Sequence, residues 1–514
     1  MPKFRVLPLV IAISVAGQAQ AADLMTVARD ALVNNADLAA SRAGYSSTRE
    51  GEAIARGDLL PQVTASGSIT RYNIDSQQSG GADGLDGIGG GGAGGSDNHY
   101  SSRSVQVEAT QALFDATNWY QLEAAKRETA QEALSLASDR QQLLYNVAEA
   151  YFEVLRAKEQ LDTLRAEERA VASELRQARQ QFDVGTVAAT DVYEAQATYD
   201  QTRSERIAQE STLQVNFERL EQLTGQQYAS IDGLADDLPI RNPEPSSRDA
   251  WVDMASTRNL DLKAARAGIE VARSNLDTSR AGHLPTLSAF ANYQWGDSSN
   301  ERLDGDDDRQ SQIGLQANVP IYSGGSTSAQ VRQSTYSLEQ SQYQAESSLR
   351  SAVQNVRSYF ASVVNDVLTV QARQRSIESN RASLEATRSG YEVGTRNIVD
   401  VLDAQQNLYS AIYDYADARY NYITDLLSLR QSAGILDVGT ISTLNDWLRE
   451  NKAVRLDFLS QYQQSGRGDG TLDSAGSDDD QPLSGLPGVN QGSGGGNQAS
   501  RVRQASMPGA SQTP

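Results

Sequence analysis

Asp400 and Asp403 lie three residues apart in a segment whose apolar positions recur at helical spacing, so both carboxylates fall on one helix face. Carboxylates placed this way suit acid–base chemistry or cation binding, or merely supply the negative charge that a helix N-terminus favours. Acid–base catalysis needs a pocket of convergent polar groups, and the surrounding helix sequence offers none. The other acidic runs carry less. Gly80-Gly81-Ala82-Asp83-Gly84-Leu85-Asp86 hints at a calcium-binding nonapeptide, but it occurs once and lacks the fourth-position glycine. Asp304, Asp306, Asp307 and Asp308 are followed by no EF-hand pattern. Both stretches read as charged exposed loops. His99 and His283 have no ligand partners in register, so no metal site is expected from them. The chain has no cysteine, which removes disulfides, thiolate metal sites and thiol nucleophiles. With no phosphate-binding Gly-Lys-Ser/Thr motif and no nucleophile elbow, neither a catalytic residue nor a cofactor is expected.

The elements that must carry the two aspartates are long helices. Val147, Val154, Leu161, Glu168, Leu175 and Phe182 recur at strict sevens, with Ala150, Ala157, Leu164, Val171 and Ala178 as a second seam. Val356, Val363, Val370, Ile377, Leu384 and Tyr391 keep the same period, and Val401, Leu408, Tyr415, Tyr422 and Leu429 continue it. Sustained heptads mean coiled-coil packing. A helix over 116–184 would be on the order of 100 Å long, and those near 23–57 and 187–223 roughly 50 Å each. Two short helices end to end therefore match one long one, which makes a tube or rod the natural shape.

The chain is also a tandem repeat. Asp37-Leu38, Ala43-Gly44 and Leu60-Pro61 recur as Asp261-Leu262, Ala267-Gly268 and Leu284-Pro285. Tyr151-Phe152 recurs as Tyr359-Phe360, and the offset changes at the Gly-rich insertion of 80–95. Each copy reads helix, two strands, long helix, turn, return helix. This places a first repeat at 22–225 and a second at 249–434, joined by a linker at 226–248 and followed by a segment at 435–462, both packed about the middle of the tube. Gly, Ser, Gln and Asp dominate 463–514, and disorder is expected there.

Four segments alternate with period two. Val63, Ala65, Gly67 and Ile69 oppose Thr64, Ser66, Ser68 and Thr70, and Val105, Val107 and Ala109 oppose Gln106, Glu108 and Thr110. In the second copy Leu287, Ala289, Ala291 and Tyr293 oppose Thr286, Ser288, Asn292 and Gln294, while Ile313, Leu315, Ala317 and Val319 oppose Gln312, Gln316 and Asn318. An apolar face toward lipid and a polar face toward a wet lumen is the outer-membrane strand pattern. Four strands cannot close a barrel, so oligomerisation is required. Pro61, Pro285 and Pro320 sit at the strand mouths, and the connections at about 73–102 and 296–309 are expected to be extracellular loops.

Lys3 and Arg5 precede an apolar run from Val6 to Ala16 and the small-residue site Ala19-Gln20-Ala21, which reads as a signal peptide over 1–21. The absence of cysteine excludes a lipid-modified mature N-terminus. No later stretch is apolar enough for a spanning helix. The formal net charge of -21 argues against nucleic-acid partners. A coiled-coil periplasmic adaptor or a surface adhesin would share the heptads and the signal, but not the two-faced strands or the duplicated tip.

That tip carries a specific likeness. Phe182-Asp183-Val184-Gly185-Thr186 through Asp191-Val192, and Tyr391-Glu392-Val393-Gly394-Thr395-Arg396-Asn397 through Asp400-Val401-Leu402-Asp403-Ala404, resemble the two helix-hairpin tips of the TolC family. The resemblance implies a mainly α fold with β: a homotrimer whose twelve-stranded barrel in the outer membrane, four strands per subunit, continues into a periplasmic α-helical barrel. It implies an exit duct served by a periplasmic adaptor and an inner-membrane ABC or proton-driven transporter, and opened by untwisting of the hairpins. It places an entrance constriction at Asp400 and Asp403, which three subunits would stack as two carboxylate rings able to bind multivalent cations. It further implies closing links among Thr190, Asp191, Tyr391 and Arg396, and adaptor docking at Val184, Gly185, Thr186, Val393, Gly394 and Thr395.

Overall fold

The computed structural model describes residues 21–74, 98–235, 237–298 and 308–455. The signal sequence, the Gly-rich insertion of 80–95, Asp304, Asp306, Asp307 and the tail of 463–514 lie outside the described residues.

Each repeat opens with two helices where the sequence suggests one: α1 (Leu24–Asn34) and α2 (Ala36–Gly57), then α5 (Arg248–Arg258) and α6 (Leu260–Ala281). The break is chemical. Asn35 adopts an extended backbone and its side-chain oxygen takes the Leu38 amide at 2.9 Å, and the Asn259 side chain does the same for Leu262 at 2.9 Å. An N-cap of this kind starts a new helix in a new direction. Next come β1 (Gln62–Ile74) and β2 (Asn98–Phe114) in the first repeat, and β4 (Thr286–Ser298) and β5 (Asp308–Asn318) in the second. The strands run further than the alternating segments suggested. The β1–β2 ladder reaches Ile74↔Asn98, so the first connection begins after 74 and ends before 98.

The long helices follow as α3 (Ala116–Asp183) and α7 (Ser326–Glu392), with return helices α4 (Ala189–Thr224) and α8 (Ile398–Ser432). The heptad seams are buried along the middle of the long helices, whereas Phe182 at the end of α3 is exposed. Val147, Val154 and Leu161 are fully covered, as are Val356 and Val363. Glu168, the polar member of its seam, is held by Arg206 at 2.6 Å.

The half-length helices do stack. The Asn35 amide donates to the carbonyl of Leu223 at 3.0 Å, seating the end of α4 on the α1–α2 junction, and the Asn259 amide donates to Ser432 at 3.0 Å for α8 on α5–α6. About 33 and 54 Å of α2 and α4 thus lie beside about 102 Å of α3. Gly434 permits the second junction. Its φ is +71, and a Cβ there would collide with the Arg258 carbonyl.

A small antiparallel sheet of β3 (Ser230–Leu234) and β6 (Leu448–Arg455) ties the inter-repeat linker to the end of the second repeat, with α9 (Val438–Asn445) before it. No period in the sequence marks these strands. Tyr151 of α3 anchors the sheet, its hydroxyl donating to the Asp232 carbonyl at 2.9 Å.

The four long strands form one sheet in the order β1-β2-β4-β5, all neighbours antiparallel. Register makes each face continuous. Val63, Ala109, Ala291 and Ile313 line up in one row, and Ala65, Val107 and Tyr293 in the next. The opposite face carries Thr64, Glu108, Asn292 and Gln312, then Ser66, Gln106, Gln294 and Gln310. Phe290 interrupts the polar face. Its ring covers Gly314, where a Cβ would meet it at 2.9 Å. Where the strands meet the helices, Phe114, Trp119, Tyr120, Ile321 and Tyr322 are all exposed, with Phe114 and Trp119 edge to face at 6.5 Å. Such a girdle marks a bilayer interface. Among the described residues no helix is long and apolar enough to cross a membrane.

Candidate functional site at the hairpin tips

The two tips are built by one device used twice. Gly185 and Gly394 both take φ of +78, which L side chains rarely adopt. The amide of Thr186 bonds to the Gln181 carbonyl at 2.9 Å and that of Gly185 to Phe182 at 2.8 Å. Thr395 to Gly390 at 2.9 Å and Gly394 to Tyr391 at 3.0 Å repeat the pattern. This is the Schellman ending of a helix. The hydroxyls of Thr186 and Thr395 donate to the same carbonyls, Gln181 and Gly390. The turn pushes Val184 and Val393 outward, 74% and 75% exposed, so the Val-Gly-Thr motif presents an apolar knob at each tip.

Just above the turns the hairpins meet. Val171, Leu175 and Ala178 of α3, Ala195 of α4, and Ile398 and Leu402 of α8 form a separate buried cluster, against which Val192 and Tyr391 pack. Polar bonds cross from one hairpin to the other at its rim. The Tyr391 hydroxyl donates to Gln181 at 2.8 Å, and the Arg388 guanidinium reaches Glu174 at 2.6 Å. Burial raises the Tyr391 phenol pKa, with the Asp191 and Glu174 carboxylates adding to it, so the phenol stays protonated as the donor. Glu174 is itself buried, and a charge-assisted bond to a buried carboxylate outweighs a surface pair.

The other expected links sit differently within one chain. Thr190 donates to its neighbour Asp191 at 3.3 Å. Arg396 lies 3.9 Å from Asp400, one turn along its own helix, with its stem folded over Gly390. Tyr391 thus crosses between hairpins, to Gln181, whereas Arg396 stays local. Arg388, Glu174 and Gln181 were not singled out from sequence. In the sequence Arg388 stands out only by its place in the repeat, which matches that of Arg179.

Asp400 and Asp403 share one face, as their spacing requires. Asp400 closes a capping box: its carboxylate accepts the Asn397 amide at 3.1 Å while its own amide donates to Asn397 at 2.8 Å. Asp403, a turn further on, is exposed and has no partner among the described residues.

Similarity to known proteins accords with this architecture. The sequence matches the family described as "Outer membrane efflux protein" over residues 27–226 and 251–435, one segment per repeat. It is 33% identical over 458 residues to the outer membrane protein TolC of Escherichia coli (strain K12), covering 86% of this chain and 89% of that protein. It is 29% identical to the alkaline protease secretion protein AprF of Pseudomonas aeruginosa, covering 79% and 83%. Among solved structures, CusC superposes with a TM-score of 0.68 over 81% of this chain and 93% of that one at 20% identity. VceC from Vibrio cholerae gives 0.66 over 80% and 96% at 17% identity. The fold is that of these channels. The protein is therefore an outer-membrane channel reaching into the periplasm, built for efflux or secretion rather than for catalysis, and it belongs to the outer membrane efflux protein family.

Proposed function

We propose that three copies of this chain close into a single exit duct, gated at the hairpin tips and docked there by a periplasmic adaptor that joins it to an inner-membrane ABC or proton-driven transporter. One observation carries the closure: the sheet and the helical layer are open at matching edges. Among the described residues the sheet ends on β1 and β5, each with one unpaired side. In the helical layer the order is α2, α3, α6, α7 near the strands and α4, α3, α8, α7 near the tips, leaving α2 and α4 at one edge and α7 at the other. Exposed apolar side chains lie on those edge helices: Ile54, Ile207 and Val215 on α2 and α4, and Tyr336, Tyr343 and Leu368 on α7. A head-to-tail contact joining β5 to β1 also joins α7 to α2 and α4, and three such contacts give twelve strands.

The polar face of the sheet then lines the lumen, and Asp400 and Asp403 narrow its periplasmic entrance as carboxylate rings. Opening separates the hairpins at Arg388–Glu174 and Tyr391–Gln181, while Thr190, Asp191 and Arg396 remain available to a neighbouring copy. The exposed Val184 and Val393 knobs, each fixed by its Gly and Thr, are the adaptor contacts. Proteins or small toxic compounds are the cargo, in keeping with a relative named for protease secretion and with the efflux family.

Because the chain has no native cysteine, Val184→Cys and Val393→Cys give unique attachment points for a photo-crosslinker in cells. The expected result is capture of a periplasmic adaptor from both sites, from heat-dissociable trimers in the outer-membrane fraction that conduct ions in planar bilayers. A soluble monomer without conductance would sink the reading.

A further inference from the structure

Above the tip cluster, α3, α4 and α8 surround a cleft of about 410 Å³, within the size range of small-molecule sites. Glu167 of α3 lines it while only 9% exposed, and its carboxylate takes no hydrogen bond or ion pair from any described residue. Glu205 of α4 lines the same cleft, with the Gln201 amide as its donor at 2.6 Å. Tyr409 and Tyr413 of α8 and Leu164 of α3 complete an aromatic and apolar wall.

Two carboxylates here lack a counter-ion among the described residues, and three of the nearby cations are committed elsewhere. Arg206 is held by Glu168 at 2.6 Å and Glu210 at 2.7 Å, Arg165 by Glu210 at 3.0 Å, and Arg388 by Glu174 at 2.6 Å. Arg169 of α3 acts on the Tyr409 phenol from outside the cleft lining. A buried carboxylate without a partner is costly, and the cost is offset by a cation that enters. A hard divalent ion needs six or more oxygens, whereas no group of three or more acidic, His or Cys ligands exists among the described residues. Tyrosine faces beside paired carboxylates instead suit a cation with an apolar body.

We propose that the α3–α4–α8 cleft binds an amphiphilic organic cation, its charge between Glu167 and Glu205 and its apolar body against Tyr409, Tyr413 and Leu164. The site is independent of how the tips open and of what the duct exports. Burial, with Glu205 adding to it, raises the Glu167 carboxyl pKa to about 7, so the proton and the ligand compete for one place. Binding is therefore weak when Glu167 is protonated and strengthens as pH rises past neutrality.

The test titrates the detergent-solubilised full-length protein with ethidium, an aromatic organic cation, followed by fluorescence at about pH 5.5 and about pH 8. One ethidium per subunit is expected, bound roughly tenfold more tightly at the higher pH. Glu167→Gln keeps the shape, removes the costly charge and leaves the fold intact by circular dichroism. It should weaken binding roughly tenfold at pH 8 and flatten the pH dependence. Tyr409→Ala should weaken binding several-fold at both pH values. Equal affinity in wild type and in Glu167→Gln with Glu205→Gln overturns the proposal, as does no binding up to about millimolar ethidium. Calcium ions that displace ethidium stoichiometrically would overturn it in favour of a metal.

Discussion

Arg179 and Arg388 hold the same place in the two repeats but bond to different partners. Arg179 donates to Gln196 of its own hairpin at 2.6 Å, whereas Arg388 leaves its equivalent partner and crosses to Glu174 of the other hairpin at 2.6 Å. The partner it leaves is Gln405, buried, with neither its amide nitrogen nor its oxygen bonded to any described residue. Such an orphaned amide costs about 1–3 kcal/mol, which the cross-hairpin ion pair must offset.

Arg388→Ser should therefore open the entrance more than Arg396→Ser does, because it strands the buried Glu174 carboxylate whereas Arg396 is paired only along its own helix. A destabilisation of the closed tip by about 1–3 kcal/mol is expected for the former and under about 1 kcal/mol for the latter. Single-channel conductance in planar bilayers ranks the two. Unchanged closed-state conductance in Arg388→Ser would remove the lock from this position.

Asp400→Asn with Asp403→Asn separates charge from capping, since a carboxamide oxygen at the first position still accepts the Asn397 amide. The expected outcome is intact trimers that lose block by multivalent cations, with cation selectivity falling. Block that persists at wild-type concentrations places the cation site elsewhere along the lumen.

Asp366 of α7 and Asp425 of α8 face each other half-buried, and one Asp366 oxygen is sealed from solvent without a donor among the described residues. Burial, with the Asp425 charge and hydrogen bond added, raises the Asp366 carboxyl to about 7 from the ordinary 3.8. Between about pH 4 and pH 7 the folded state holds a proton that the unfolded chain releases, so stability falls as pH rises through that window. Asp366→Asn should flatten this limb and raise stability at pH 8 by about 1–2 kcal/mol after allowance for solvent screening. Thermal unfolding at several pH values checks it, and an unchanged pH slope would count against a shared proton.

Asn35→Ala and Asn259→Ala each remove an N-cap and the bond that seats a return helix on the junction. A loss of about 1–3 kcal/mol is expected for each, and the two should add because the sites lie in different repeats. Heat dissociation of the variant trimers measures it. A cost below about 0.5 kcal/mol would show that packing alone holds the stacked helices.

The parts of this architecture that were legible in sequence are those with a local period. Val147, Val154 and Leu161 announce the buried seam at sevens, and Val63, Ala65, Val105 and Val107 announce a two-faced sheet. Pairing between β2 and β4 has no local signature, because over 170 residues of chain separate the two strands. The helix breaks were written in Asn35-Ala36-Asp37-Leu38 and Asn259-Leu260-Asp261-Leu262, where an Asn before a helical run marks a start. β3 has only five residues, and the eight of β6, Leu448–Arg455, do not alternate apolar with polar. The bond from Arg388 to Glu174 and the Glu167 cleft depend on which helix faces meet, and heptads fix a helix's own buried stripe without naming the neighbour that covers the rest.

The unpaired β1 and β5 edges have a genetic consequence. A ring closed by head-to-tail contacts has no spare subunit: each copy supplies one edge to the copy before it and the other to the copy after. In a cell making normal and tip-defective chains in equal amounts, only about one duct in eight would be free of defective copies if subunits mix at random. If one defective copy is enough to stop a duct, a lesion in one protomer acts dominantly, and the dose of defective chain needed to silence export reports the number of copies in the tube.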